Sequence, residues 1–321
     1  MKELIVDISM YNDPVDYHGL KANGIEAVIV KAGGSGGVDP LFLRHATGTK
    51  AAGLFLGLYY WIDPLYDGKT QANHFCTLAE DVGADFVCGD IEQWWADWSQ
   101  WYAWRQGMIL KSAVPVVTPK QIYRVTTDFV TQVMARLPTI RYVNYTSIIG
   151  FINCYCRDLL PWLPDYPLWI AQYHKTGPVP DLARKTLTWA QLKADYLPTT
   201  QPSLPVAIGQ PAIWQWTGDR FTTESVDSPI DVNLFMLPES FSEWLERQAP
   251  EPAEVPPFIT MQLNDYAQAL NVRAEPNTNC EILRLLVKTS VFCVEPGYGT
   301  WAKLYGEPGY VHSGYIKPLV T

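Results

Sequence analysis

Two acidic residues close the apolar segment 85–92: Asp90 and Glu92 stand two positions apart, and Gly89 precedes them. On a β-strand, residues i and i+2 point to the same face, so this spacing projects both carboxyl groups together. Close carboxyl groups push their pKa values apart, which leaves one of them protonated near neutral pH. Such a pair suits glycoside hydrolysis, in which one group protonates the leaving oxygen and another stabilises or attacks the sugar centre. The same carboxylates could instead pair with Lys31 or bind a divalent metal.

Two further acids stand at comparable places: Asp7 ends the first apolar segment, and Asp231 follows the aromatic segment 213–217. Nearly all-apolar strands alternate with helical segments through residues 1–248, which predicts a parallel sheet covered on both faces. About 250 residues of this pattern suit an α/β barrel, in which functional side chains collect at the carboxyl ends of the strands. A doubly wound open sheet is the alternative architecture.

The segment 249–257 contains four prolines and two glutamates, which predicts an extended linker between two domains. After it, residues 258–321 alternate short apolar runs with turn residues, a pattern typical of a small all-β barrel. These residues hold five acids and five bases, so they are neutral, whereas the whole chain carries a net charge of −9.

Composition narrows the classes of function. The acidic balance argues against nucleic-acid binding, and no apolar run is long enough for a membrane helix, so we expect no membrane insertion. The N-terminus shows no signal peptide, which predicts synthesis in the cytoplasm. Six cysteines without a CxxC motif predict free thiols. The 13 Trp and 18 Tyr residues suit either stacking on sugar rings or packing in a core.

Short motifs through residues 1–248 together resemble the family 25 glycoside hydrolases, the Chalaropsis-type lysozymes. In the family's order they include Asp7-Ile8-Ser9, Val28-Ile29-Val30-Lys31-Ala32, Gly57-Leu58-Tyr59-Tyr60-Trp61, Asp90-Ile91-Glu92, Tyr145-Thr146-Ser147, Leu168-Trp169-Ile170-Ala171-Gln172-Tyr173, Trp214-Gln215-Trp216 and Asp231-Val232-Asn233. Residues 258–321 resemble a bacterial SH3 (SH3b) module through Leu270-Asn271-Val272-Arg273-Ala274-Glu275-Pro276, Trp301-Ala302-Lys303-Leu304 and Gly309-Tyr310-Val311-His312-Ser313-Gly314-Tyr315.

The family 25 resemblance implies an irregular, TIM-like (β/α) barrel that cuts the β-1,4 bond between N-acetylmuramic acid and N-acetylglucosamine in peptidoglycan. It implies acid catalysis with neither a metal nor a cofactor. Glu92 matches the general acid, Asp90 the carboxylate that stabilises an oxazolinium or activates water, and Asp7 and Asp231 supporting acids. The positions that match groove-lining residues are Lys31, Tyr59, Tyr145, Trp169, Gln172 and Trp214. The SH3b resemblance implies a tail that binds wall peptide or glycan.

The chain departs from the family pattern in three places. Gly33-Gly34 follows Lys31-Ala32 where the family has an acidic residue, a Trp-rich segment spans 94–104, and the segment 174–211 is long. The Trp-rich segment could stack on sugars or pack into the core. The leading interpretation is an endolysin- or autolysin-like muramidase that acts on the cell wall. The alternatives are a wall-glycan-binding protein that has lost catalysis and a chitinase-like hydrolase on a related barrel.

Overall fold

The computed structural model describes residues 3–173, 185–205, 208–247, 259–265, 267–295, 300–305 and 308–319. The chain divides into two compact units, Met1–Ala249 and Pro250–Thr321. The linker expected at 249–257 lies outside the described residues, as does part of the long segment 174–211. In the part of the chain that is described, no helix is both long enough and apolar enough to cross a membrane.

Eight strands of the larger unit close into a barrel, so the open-sheet alternative is wrong. The unit contains β1 (Leu4–Ile8), β2 (Ile25–Gly34), β3 (Gly37–Val38), β4 (Phe55–Trp61), β5 (Phe86–Asp90), β6 (Arg141–Thr146), β7 (Leu168–Ala171), β8 (Lys185–Leu187), β9 (Ile213–Thr223) and β10 (Val226–Phe235). The order around the barrel is β1-β10-β9-β7-β6-β5-β4-β2, and β2 pairs again with β1. The short strands β3 and β8 add to β2 and β9.

One barrel strand breaks the expected parallel arrangement. The strand β10 runs antiparallel to both of its neighbours, β1 and β9. The other neighbouring pairs around the barrel are parallel. The all-parallel prediction is therefore wrong at β10, where Asp231 and Asn233 interrupt the apolar run by which a buried parallel strand is recognised.

Helices surround the barrel, and their ends follow from local sequence. They are α1 (Tyr17–Ala22), α2 (Phe42–Ala51), α3 (Gly68–Val82), α4 (Trp98–Arg105), α5 (Pro119–Arg136), α6 (Asn153–Tyr155), α7 (Trp189–Asp195) and α8 (Phe241–Glu246). In α3, the Asp67 carboxylate caps the first turn by accepting from the Thr70 amide, and Gly83 ends the helix in the left-handed conformation. Thr118 caps α5, and Pro119 occupies its first turn.

Side chains alternate along each strand between the barrel interior and an outer layer. On β2, Ile29 belongs to the interior cluster, whereas Val28 and Val30 pack in the outer cluster with the helices. The helix α8 closes the end of the barrel where the parallel strands begin, and its Phe241 ring lies 5.4 Å from that of Phe86. The interior positions at the opposite end, where those strands finish, are therefore available to polar side chains.

The smaller unit is all-β within its described residues. One sheet contains β11 (Ile259–Leu263), β14 (Val291–Val294) and β17 (Ile316–Pro318), and the other contains β12 (Ala269–Arg273), β13 (Ile282–Val287), β15 (Trp301–Lys303) and β16 (Tyr310–His312). The unit has its own buried core, which includes Met261, Val272, Leu286 and Val311. The sequence patterns do not reveal β11 and β17, which lie close to the two ends of the unit.

Candidate active site

A cavity of about 100 Å³ lies at the end of the barrel where the parallel strands finish. Its lining comes from strand ends that are far apart in sequence. The lining residues are Asp7, Lys31, Tyr59, Trp61, Asp90, Glu92, Tyr145, Trp169, Gln215 and Asp231. The barrel thus brings together all four acids that the sequence singles out, because parallel strands carry their last interior residues to one edge.

Asp7 and Asp231 face each other across the antiparallel β1–β10 pair. The Gln215 side-chain amide joins them, since its Nε2 donates to Asp7 Oδ2 at 3.1 Å and to Asp231 Oδ2 at 3.3 Å. Asn233 Nδ2 also donates to Asp7 Oδ2, at 2.8 Å, and the Tyr145 hydroxyl donates to Gln215 Oε1 at 2.8 Å. These bonds orient the Gln215 amide and hold both carboxylates in fixed positions.

Asp90 is the last residue of β5, and Glu92 lies two positions beyond it. The strand predicted at 85–92 is therefore too long at its carboxyl end, but both side chains still line the cavity. Asp90 is only 2% exposed, and its Oδ1 has no hydrogen-bond partner among the described residues. Glu92 is half-buried. Glu92 is thus the member of the pair with more access to a molecule in the cavity.

The surroundings of this pair favour retention of a proton. Burial raises the pKa of Asp90 well above its ordinary value, and the Glu92 charge raises it further. Burial raises the pKa of Glu92 to about 7; the Lys31 ammonium opposes this rise and the Asp7 charge adds to it. Two like charges in one buried site do not ionise together easily, so the pair holds a proton near neutral pH. It can therefore act as a general acid at that pH.

Aromatic side chains form a packed wall around the cavity. The Lys31 Nζ lies 5.8 Å from the ring centre of Tyr59 and 5.4 Å from that of Trp61. The Trp169 ring packs 4.4 Å from Tyr145 and 6.2 Å from Tyr59, measured between ring centres. Burial raises the pKa of both tyrosines, so their hydroxyl groups stay protonated.

Two residues expected to line the groove lie outside this cavity. Trp214 is buried in the outer cluster, and its indole N–H donates to the Gln172 carbonyl oxygen at 2.7 Å. The Gln172 side-chain amide donates to the Ser203 carbonyl at 3.0 Å. The next residue after Trp214, Gln215, occupies the interior position instead, because neighbouring strand residues face opposite sides. A polar residue between Trp214 and Trp216 is the sequence signal that could have identified it.

Among the described residues, no contact supports the two other roles considered for the carboxyl pair, which are an ion pair with Lys31 and the binding of a divalent metal. Within the described ranges no ion pair joins Lys31 to Asp90 or Glu92, although its charge lowers the pKa of both. Among the same residues, no three His, Cys, Asp or Glu side chains form a group that could hold a metal ion. The six cysteines are free thiols, as the sequence predicts.

Gly89 permits a close contact beneath the carboxyl pair. A Cβ at this position would lie 2.1 Å from the Tyr142 hydroxyl oxygen, and that hydroxyl donates to Asn144 Oδ1 at 2.9 Å. Gly89→Ala is therefore expected to lower the free energy of unfolding by about 1–3 kcal/mol, through overpacking, and to displace Asp90. Urea unfolding measures the loss.

Gly36→Ala is the matched control for Gly89→Ala, because a Cβ at Gly36 would meet no atom within 4 Å. Its unfolding free energy is expected to stay close to that of the unmodified protein. Equal stability of the two variants would contradict the close contact at Gly89.

Comparisons with known proteins show which folds the chain resembles. The fold is similar to a bacterial lysozyme from Streptomyces coelicolor, with a TM-score of 0.54 and 16% identity over 76% of this chain and 96% of that one. It is also similar to a muramidase from Trichobolus zukalii, with a TM-score of 0.52 and 20% identity over 76% and 97% of the two chains. A family 25 glycosyl hydrolase from Bacillus anthracis gives a TM-score of 0.52 and 16% identity over 77% and 94%.

At these identities the structural matches show a shared fold. No curated protein matches the chain in sequence. Residues 6–224, most of the larger unit, match the family model described as glycosyl hydrolases family 25. The chain therefore belongs to glycosyl hydrolase family 25.

Proposed function

We propose that this protein is a peptidoglycan hydrolase of the bacterial cell wall that cleaves the β-1,4 bond between N-acetylmuramic acid and N-acetylglucosamine. The observation that carries the proposal is the Asp90–Glu92 pair, which retains a proton near neutral pH in a cavity of a family 25 barrel. Two solved structures with similar folds bear the names lysozyme and muramidase, which supports this choice of substrate.

In this proposal, Glu92 donates its proton to the leaving glycosidic oxygen. A general acid works best when its pKa lies near the working pH, and burial raises the pKa of Glu92 to about 7. Among the described residues, none donates a hydrogen bond to the Glu92 carboxyl group, so the Lys31 charge opposes the raised pKa without a hydrogen bond to the ionised form. The side chain also has more access to the cavity than Asp90 has.

In this proposal the single proton of the pair lies on Glu92, which leaves Asp90 ionised. Asp90 then stabilises the positive charge that develops at the sugar centre, either directly or through the acetamido group of the substrate. Its buried Oδ1, which has no hydrogen-bond partner among the described residues, is unfavourable until a donor arrives. The acetamido N–H of an N-acetylated sugar has the chemistry to satisfy that atom. In this proposal, Asp90 therefore acts chiefly after the substrate has bound.

Asp7 and Asp231 add negative charge whose position is fixed before the substrate arrives. Gln215 binds both carboxylates, so they need no rearrangement as the oxocarbenium-like transition state forms. The Lys31 ammonium offsets part of this negative charge, since it lowers the pKa of Asp90 and of Glu92.

We further propose that residues 258–321 are an SH3-like module that binds wall peptide or glycan. A groove of about 550 Å³ in this unit is lined by residues that include Trp301, His312 and Tyr315. The ring centres of Trp301 and His312 lie 5.2 Å apart, and those of His312 and Tyr315 lie 5.4 Å apart. The neutral charge of this segment favours an uncharged ligand over a polyanion.

Tyr315→Ala is expected to weaken co-sedimentation with purified cell walls by about tenfold, or about 1.4 kcal/mol, because Tyr315 is a groove aromatic with 50% of its surface exposed. Tyr305→Ala is the control, since Tyr305 is 41% exposed and does not line the groove. Equal wall binding by the two variants would contradict the binding role of this groove.

A substrate panel tests the proposed hydrolysis against its alternatives. The protein is incubated with purified peptidoglycan and, separately, with chitin oligomers, and the reducing ends released are measured. We expect release from peptidoglycan. Sedimentation with walls without release would identify a binding protein, and preferential cleavage of chitin oligomers would identify a chitinase-like hydrolase.

A further inference from the structure

A cleft of about 620 Å³ opens beside the candidate active-site cavity and shares Lys31 and Trp61 with it. One wall is the β2–β3 hairpin, residues 33–38, and the other includes Trp98 and Trp101 of α4. We call it the aromatic cleft, after its five aromatic lining residues: Tyr11, Trp61, Tyr66, Trp98 and Trp101. The shared residues make the cleft a continuation of the site that holds the carboxyl pair.

In the Trp-rich segment, some side chains are packed and buried, and others line the aromatic cleft. Trp95 is buried and stacks on Trp101 with ring centres 4.5 Å apart. Trp98 makes edge contacts with Trp95 at 5.1 Å and with Trp101 at 5.5 Å, yet 43% of its surface is exposed. The Trp98 ring is therefore fixed by its neighbours and still partly exposed, so it can stack on an uncharged ring of a ligand.

A buried carboxylate links the walls of the aromatic cleft. Asp63 has no exposed surface, and its Oδ2 accepts from the Ser35 hydroxyl of the hairpin at 2.6 Å and, at a longer 3.5 Å, from Trp98 Nε1. Its Oδ1 accepts from Gln93 Nε2 at 3.0 Å, and Gln93 Oε1 in turn accepts from Trp61 Nε1 at 2.8 Å. The two indoles and the hairpin are thus fixed before any ligand binds, which reduces the entropy lost on binding.

Glycines keep the hairpin wall close to the aromatic rings. A Cβ on Gly34 would lie 3.1 Å from the Trp61 Cβ, and one on Gly33 would lie 2.4 Å from the Gly37 carbonyl oxygen. At Gly36 the space is open, since a Cβ there meets nothing within 4 Å. Gly36 lines the cleft, so a larger side chain there would have room beside it without displacing the wall.

We propose that the aromatic cleft binds a saccharide ring of the glycan strand, one unit or more away from the bond that is cut, by stacking on Trp98. The inference rests on the proposed function and adds a preference for substrate length: the protein prefers long glycan strands. Continuity with the active-site cavity supports the glycan as occupant, because a strand lying across the carboxyl pair passes directly into this cleft. Its aromatic lining suits the apolar faces of sugar rings.

The test uses peptide-free glycan oligomers of increasing length and the intact chain. For the unmodified protein, KM is expected to fall as the oligomer becomes long enough to reach Trp98. With Trp98→Ala this decrease is expected to be lost, so KM on long oligomers rises by about tenfold while kcat changes by less than about threefold. Gly36→Leu, which fills the cleft, is expected to act in the same way.

Tyr102→Ala is the matched control, because Tyr102 lies on the same helix α4, is exposed and does not line the cleft. Unchanged KM for Trp98→Ala and Gly36→Leu at every length would overturn the inference. An effect confined to substrates that carry peptides would also overturn it, and would assign the cleft to the peptide stem.

Failure of the proposed hydrolysis is distinguishable from failure of this inference. If the unmodified protein cleaves no oligomer, binding of the same peptide-free oligomers is measured by calorimetry. Binding that tightens with length and weakens in Trp98→Ala would support the cleft, and length-independent binding, or none, would reject it.

Discussion

Glu92→Gln is expected to lower the rate of peptidoglycan hydrolysis by about 10²–10⁴-fold, the range typical for loss of a general acid. The amide has nearly the same size and shape as the carboxyl group but has no acidic proton to give to the leaving oxygen. Burial raises the pKa of Glu92 to about 7, so the unmodified side chain carries that proton near neutral pH. Reducing ends released from purified peptidoglycan measure the loss.

Glu246→Gln is the control for this substitution, because Glu246 is exposed on α8, at the closed end of the barrel. Its rate is expected to match that of the unmodified protein. A Glu92→Gln variant within about threefold of the unmodified rate would show that the proton comes from another group, with Asp90 the next candidate.

The same substitution is expected to stabilise the folded protein by about 3 kcal/mol at about pH 8, and by close to zero at about pH 4. The pKa of Glu92 is about 7 in the folded protein, against an ordinary value of 4.5. Between these values the unfolded chain releases its proton while the folded protein keeps it, so the stability of the unmodified protein falls as the pH rises. Above about pH 7 the folded protein holds the unfavourable buried charge, and glutamine removes it.

Urea unfolding at both pH values measures this difference in stability. The gap between Glu92→Gln and the unmodified protein is expected to open as the pH rises. Asp90→Asn is expected to change stability in the same direction, because burial raises the pKa of Asp90 as well. A gap that stays constant with pH, or one that closes as the pH rises, would contradict the raised pKa of Glu92.

The barrel and the meeting of its acids could be predicted from sequence, because buried parallel strands leave long apolar runs whose ends share one edge. The first apolar segment, which Asp7 ends, is observed as the strand β1 (Leu4–Ile8), and helices alternate with the parallel strands as the pattern predicts. The family indicated by the motifs is confirmed by the match over residues 6–224. The strand pattern and the family resemblance thus both predict functional side chains at the same end of the barrel.

The strand β10 does not follow the pattern of the other barrel strands, because its inward-facing residues belong to the site. Asp231 and Asn233 face the interior among other polar groups, so the strand lacks the nearly all-apolar run that marks the other barrel strands. Pro229 also lies within the strand and weakens the pattern. Polar site residues can therefore prevent a strand from being recognised in the sequence.

Tryptophans illustrate the remaining limit of sequence patterns. Trp214 and Gln215 differ by one position, and only the register of β9 decides which of them reaches the cavity. In α4, helical spacing groups Trp98 with Trp101 but does not say which ring stays exposed. That depends on Trp61 and Trp95, which pack against them from outside the helix.

The identity of the newly formed reducing end decides whether the proposed hydrolysis takes place. The unmodified protein and Glu92→Gln are each incubated with purified peptidoglycan, and the products are reduced and identified by mass spectrometry. We predict fragments that end in reduced N-acetylmuramic acid from the unmodified protein and none from Glu92→Gln. Fragments that end in reduced N-acetylglucosamine, or no fragments from the unmodified protein, would contradict the proposed function. Equal fragments from both proteins would contradict the assignment of Glu92.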